Sequence, residues 1–208
     1  MADAYQIQIV AFGDSITEGT YGGAFPSHIW TAILQSKLRE SGMDVHLINS
    51  GVPGETAPHG LQRFSYDVLA EKPQVVLIMY GANDSFMPFG DGVPVVSLQQ
   101  FVNALTDMVA MAKSEGILPV VMTTTPLDLP DDSGYDQNEI LGQYMQKVRE
   151  IAANYNLHVI DHFTSWMEKE MNEKIIEKYL PDGVHPNAGG NRLIAETIFE
   201  KLKEIIIK

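Results

Sequence analysis

Three polar, glycine-rich turns and one aspartate–histidine pair hold the residues of this chain that suit chemistry. The turns are Gly13-Asp14-Ser15-Ile16-Thr17-Glu18-Gly19, Asn49-Ser50-Gly51-Val52-Pro53-Gly54 and Gly81-Ala82-Asn83-Asp84. The pair lies in Asp182-Gly183-Val184-His185-Pro186. A serine hydroxyl needs a base to take its proton, and the base needs a third group to orient it. Ser15, His185 and Asp182 supply those three types. Asp and His three residues apart in a tight turn can meet, with Asp182 holding one imidazole nitrogen while the other faces Ser15. The side-chain amide of Asn83 and the backbone N–H groups of Ser15 and Gly51 suit the negative oxygen of a tetrahedral intermediate. Each such donor is typically worth about 10²–10³ in rate.

Each segment alone also has a plainer reading. Ser15-x-x-Glu18 matches a capping box, in which Ser15 only caps a helix. The G-x-S-x-G elbow is absent. Asp182 fits a turn, and His185 fits the N-terminal end of a helix. Asn83 suits a turn after a strand, and Gly51 a positive-φ position. Asn83-Asp84-Ser85 is also a formal glycosylation sequon, a use that a pocket position disfavours. The case for chemistry is the convergence of the turns, which depends on the elements between them.

Short β-rich stretches alternate with longer helical ones. Strands are predicted over 5–12, 44–49, 74–80, 117–122 and 157–160. The near-continuous apolar run at 74–80 reads as a strand covered on both faces. Helices are predicted over 26–41, 61–70, 98–114, 135–155, 164–178 and 187–207. The first has Pro26 in its opening turn and Gly42 as a stop signal. This alternation predicts a parallel sheet covered on both sides, and right-handed crossovers leave few topologies. The expected fold is a flavodoxin-like three-layer α/β/α sandwich on a five-stranded parallel sheet, with residues 1–208 as one domain. In such a sheet the carboxyl ends of the strands form one rim, and ligands bind where strand order reverses. The three turns should meet there. Two long connections, 84–97 and 125–138, are expected to wall a substrate pocket. Phe86, Met87 and Phe89 of the first should face substrate, while Met79 packs in the core. Asp14, next to Ser15, completes the expected substrate contacts.

Length and composition bound the rest. The 208 residues suffice for a substantial core. There is no cysteine, which excludes a thiolate nucleophile, a thiolate metal site and a disulfide framework. The net charge of -13, from 27 acidic and 14 basic residues, repels nucleic acid and anionic membranes and favours a neutral small-molecule substrate. No stretch has the length of a membrane span. The start lacks a basic n-region and a long apolar h-region, so the expected compartment is the cytoplasm, although a mature secreted form would read the same. No HExxH or comparable ligand spacing occurs, so neither metal nor cofactor is expected. Among the other histidines, His46 and His158 fall in strand patterns as packed or edge residues. His28 falls in an early helix, and His59 near the second turn. Asp161-His162 is the only rival acid–base pair.

The four blocks, in this order and each after its expected element, resemble those of the SGNH hydrolases, the GDSL esterase/lipase family. They run from Gly13 to Pro186, nearly the whole chain, with Ile16 where the family name has leucine. The resemblance implies a flavodoxin-like fold and ester hydrolysis through an acyl-serine, without metal or cofactor. It places the nucleophile on Ser15, the oxyanion donors on Ser15, Gly51 and Asn83, and the acid and base on Asp182 and His185. The family spans carbohydrate O-deacetylases, lysophospholipases, thioesterases and arylesterases. A compact acidic chain without a long apolar lid points to short acyl groups, acetyl above all, including acetyl on sugars. The alternatives are a lysophospholipase or acyl-thioesterase of the same family, and a non-enzymatic flavodoxin-like module that binds phosphate or a flavin. Against the last stands the missing G-x-x-x-x-G-K-[ST] fingerprint.

Overall fold

The computed structural model describes residues 6–88, 92–129 and 136–206. Its apolar, β-branched stretches form five strands: β1 (Ile7–Gly13), β2 (Val45–Gly51), β3 (Val75–Met79), β4 (Leu118–Thr123) and β5 (His158–Asp161). They form one sheet in the order β2-β1-β3-β4-β5, and every pairing is parallel. All five residues of β3 are buried, as the continuous apolar run requires of a central strand. β2 and β5 lie at the edges, and His46 and His158 are exposed on them. The chain leaves β1 for β2 on one side and returns to β3 on the other. Strand order therefore reverses at β1 and β3, the strands that lead into Ser15 and Asn83.

Eight α-helices are described: α1 (Ser15–Glu18), α2 (Trp30–Glu40), α3 (Ala57–Phe64), α4 (Leu98–Ser114), α5 (Gln137–Tyr155), α6 (His162–Glu173), α7 (Ile175–Tyr179) and α8 (Ala188–Ile206). α2 packs on α8, while α3 packs on α4 and α4 on α5. These are the two helical layers of the expected sandwich. No helix among the described residues is long and apolar enough to cross a membrane.

Three predicted helices are corrected. The one over 26–41 opens as a 3-10 turn, Pro26–His28, and restarts at Trp30. Ile29 between them is extended, with φ -77° and ψ 153°, and the Trp30 N–H donates to Asn191 Oδ1 at 2.8 Å. A tertiary acceptor has replaced the helical one. The helix over 164–178 breaks at Lys174, which is left-handed at φ 49°, and the Ile176 N–H turns to the Glu170 carboxylate. The helix over 61–70 starts earlier, at Ala57, with proline in its first turn, and ends in a π-helical turn, Ser65–Leu69.

Candidate active site

Ser15 does not cap α1. Asp14 is the cap, its Oδ1 accepting from the Ile16 N–H at 2.9 Å. The Glu18 carboxylate, which a capping box would turn back on the helix, accepts instead from the N–H and hydroxyl of Thr20. Ser15 is therefore the first helical residue, at the positive end of the short helix, and its hydroxyl is not consumed by a cap. That hydroxyl lies 2.9 Å from His185 Nε2. His185 Nδ1 lies 2.6 Å from Asp182 Oδ2, and Asp182 Oδ1 accepts from the His185 N–H at 2.7 Å and the Val184 N–H at 3.0 Å. Burial pushes the Asp182 carboxyl up. The His185 N–H, the His185 ring and the Val184 N–H outweigh that and hold it below the usual carboxylate range. An ionised Asp182 can fix the ring with Nδ1 protonated, which leaves Nε2 to accept from Ser15.

The rival pair does not assemble. Asp161 caps α6 and pairs with Arg149 at 2.7 Å. Burial raises its carboxyl, but Arg149 and the Thr164 and Thr123 donors pull it down to about 2. His162 is fully buried, neither ring nitrogen has a hydrogen-bond partner among the described residues, and burial pushes it down to about 4. It stays neutral near pH 7 and makes no hydrogen bond to Asp161, whose charge only partly offsets the effect of burial. His59 is exposed on α3 beside Thr56 Oγ1 and does not line the pocket, and His28 is exposed in the 3-10 turn.

Gly51 approaches α1 so closely that a Cβ would lie 2.2 Å from the Glu18 nitrogen, so only glycine fits. Its N–H donates to Asn49 Oδ1 at 3.0 Å. Asn49 Nδ2 in turn holds Thr17 O and Thr31 Oγ1, both at 3.0 Å. Asn83 Nδ2 donates to Glu55 O at 2.9 Å and, at 3.4 Å, to Asp14 Oδ2. Asp14 is 1% exposed, so it lies behind the site rather than facing substrate. Burial pushes its carboxyl up to about 7.

Sequence reasoning missed the residue that joins these turns from below. Arg63 of α3 donates to Gly13 O at 3.2 Å, Ser50 O at 2.9 Å and the Tyr80 hydroxyl at 3.1 Å, groups at the ends of β1, β2 and β3. It also pairs with Glu55 and Asp67, each at 2.6 Å, and lies 4.2 Å over the Phe12 ring. All three contacts, with the one to Glu55, converge on Nη2, whose two hydrogens are shared among them, so the guanidinium charge set among these oxygens gathers the strand ends. The Glu55 carbonyl then holds Asn83. The available signal was the i,i+4 spacing of Arg63 and Asp67 with Glu55 just upstream.

Asp84 is a second buried carboxyl. Oδ1 accepts from the Ala57 N–H at 2.8 Å, and Oδ2 has no partner among the described residues. Burial, aided by the charge of Asp14, pushes it up to about 7. Between the ordinary carboxylate pKa and about 7 the native state thus holds a proton that the unfolded chain has lost. The contribution of Asp84 to stability is full at low pH and falls as pH rises through that window. Asp84→Asn cannot ionise. Its stability should decline less between pH 4 and 8 than that of the wild type, by on the order of 3 kcal/mol. Urea unfolding at both pH values measures this, and parallel declines would count against it.

A cavity of about 270 Å³ opens at the triad, lined by Ala82, Asn83, Phe86, Leu127, Leu129, Val184 and His185. Both long connections contribute to it, as expected. Leu127 is clamped by Asn138, which bonds its N–H at 2.8 Å and its carbonyl at 2.7 Å. The Asp128 N–H donates to Gly183 O at 2.7 Å, tying this wall to the His185 turn. Phe86 faces the cavity. Met87 is corrected: it is 8% exposed, buried in the protein rather than set in the cavity lining. Phe89 lies outside the described residues. Met79 is fully buried in the core.

The sequence pattern described as the GDSL-like Lipase/Acylhydrolase family matches residues 11–193. Esterase TesA of Pseudomonas aeruginosa is 26% identical, over 95% of this chain and 89% of its own length. An acetylxylan esterase of Geobacillus stearothermophilus is 24% identical, over 94% and 93%. The crystal structure of the acetyl xylan esterase AlAXEase superposes with a TM-score of 0.82 at 23% identity, over 94% of this chain and all of that one. The family match takes in all three glycine-rich turns and runs past His185 into α8. On that extent the chain belongs to the GDSL-like lipase/acylhydrolase family and is a carboxylic ester hydrolase.

Proposed function

We propose that the protein hydrolyses small, uncharged short-chain esters, acetyl esters above all and including acetyl groups on sugars, through an acyl-serine intermediate. The observation that carries this is the unbroken hydrogen-bonded line from Ser15 Oγ through His185 to Asp182, at 2.9 and 2.6 Å. Ser15 Oγ attacks the ester carbonyl while His185 Nε2 takes its proton, and Asp182 stabilises the imidazolium. The tetrahedral intermediate collapses as His185 passes that proton to the leaving alcohol. Water, deprotonated by the same nitrogen, then attacks the acyl-serine, and the carboxylic acid departs with Ser15 restored.

The oxyanion is received by the Ser15 N–H, the Gly51 N–H and Asn83 Nδ2. Asn83 keeps its short bond to Glu55 O, and the long contact to Asp14 is the one that gives way. The Gly51 N–H is shared between Asn49 and the oxyanion. Asn83→Ala should lower kcat by about 10²–10³ with little change in KM, since the bond is made only in the transition state. Steady-state kinetics unchanged from wild type would refute the role.

The size of the acyl group follows from the cavity. About 270 Å³, with Phe86, Leu127 and Leu129 as apolar walls, is below the about 300–1,000 Å³ of sites that enclose a drug-sized ligand. The net charge of -13 disfavours anionic substrates. A relative named as an acetylxylan esterase agrees in kind. The test is labelling with a fluorophosphonate serine probe, followed by mass spectrometry, beside a p-nitrophenyl ester series from acetate to palmitate. An adduct on Ser15, with kcat/KM falling as the chain lengthens, is the expected result. A rise toward palmitate would support the lysophospholipase or thioesterase reading instead. Neither adduct nor turnover would defeat both.

A further inference from the structure

The reaction determines where the alcohol half of the ester lies. His185 must hand its proton to the leaving oxygen, so that oxygen sits beside the His185 ring. Among the described residues, Tyr21 is the aromatic side chain against that ring, with centroids 5.2 Å apart and planes tilted by 37°. Tyr21 is 57% exposed, so the core does not require it.

The backbone beneath Tyr21 is nevertheless held from three sides. Its turn closes with the Gly23 N–H on Thr20 O at 2.9 Å, and Glu18 holds the Thr20 N–H and hydroxyl. Gly22 lies directly on the His185–Pro186 backbone, where a Cβ would come within 2.5 Å of both carbonyl oxygens. Asn191, fully buried in α8, donates Nδ2 to Gly19 O at 3.1 Å and to Pro186 O at 2.8 Å. One side chain thus fastens the Tyr21 turn to the turn that carries the base. An exposed aromatic ring on so constrained a turn is preorganised for a ligand, because little ordering entropy remains to be lost on binding.

We propose that Tyr21 is the alcohol-side subsite, a platform on which an uncharged pyranose ring stacks while the ester oxygen it carries meets His185. This rests on the esterase reading above. A pyranose offers an apolar C–H face and a rim of hydroxyls. Tyrosine offers a matching apolar face with a polar tip. The strongly acidic chain disfavours a phosphorylated alcohol at the same place.

Two acetate esters with the same acyl group test the proposal, a mono-acetylated methyl pyranoside and n-butyl acetate. Tyr21→Ala should lower kcat/KM on the pyranoside ester about tenfold, mostly through KM, and leave n-butyl acetate within about twofold. Tyr21→Trp, which keeps an aromatic face, should retain the pyranoside activity. Equal losses on both esters would overturn the proposal and make Tyr21 a support for the His185 ring. No loss on either would overturn it as well. If the wild-type protein cleaves neither ester and takes no fluorophosphonate label, the esterase reading itself fails, a result distinct from either of these.

Discussion

Ser15→Ala should lower kcat on p-nitrophenyl acetate by about 10⁴–10⁶ while leaving the protein folded. Both halves of this expectation come from the geometry. The hydroxyl is buried and its hydrogen bond runs to His185 Nε2, so the substitution removes the attacking atom from a site otherwise intact. Asp14, not Ser15, caps α1, so no cap is lost, and a cap is typically worth about 1 kcal/mol. Thermal unfolding should therefore track the wild type. A folded variant that keeps more than a small percentage of wild-type turnover would remove Ser15 from the mechanism.

His185→Ala should cost as much, and the double variant no more than either single one. Nucleophile and base act as a unit, so removing either disables both. In this variant Ser15 keeps its position on α1 but has no acceptor for its proton, and Asp182 loses its ring partner while keeping the Val184 N–H and the residue 185 N–H. Fluorophosphonate labelling of Ser15 should fall along with kcat. If His185→Ala labels and turns over like the wild type, the base lies elsewhere. Losses in the double variant that multiply would mean that Ser15 and His185 act in separate steps.

The elements were legible where local preference and tertiary demand agreed. The helix expected over 98–114 forms as α4 with those bounds, because Ser97 and Gln100 make a capping box and the apolar residues keep one face. Agreement failed where a distant group took over a backbone donor. At Ile29 the helical pattern was present, but Asn191, 161 residues from Trp30, supplied a better partner. Asn191 left a faint trace in the sequence, since it is a polar residue on the buried stripe that continues as Ile194, Ala195, Ile198 and Leu202. Nothing in its spacing says which turns it joins. The choice of cap between Asp14 and Ser15 was equally closed to sequence reasoning. Both residue types cap well, and the helix takes whichever one the end of β1 leaves extended.

By itself, then, the sequence determined the strand–helix alternation, the parallel sheet it demands and four short blocks with the residue types of ester hydrolysis. These are matters of local period and turn chemistry, acting over a few residues. The tertiary structure alone decided that Ser15 and His185 meet across 170 residues, that Asp161 and His162 do not work together, and that Arg63 gathers three strand ends. It also turned Met87 inward and left Tyr21 beside the base. The physical reason is that a polar group's partner is set by which atoms the packed sheet and helices bring within hydrogen-bond range. Spacing along the chain carries no record of that distance.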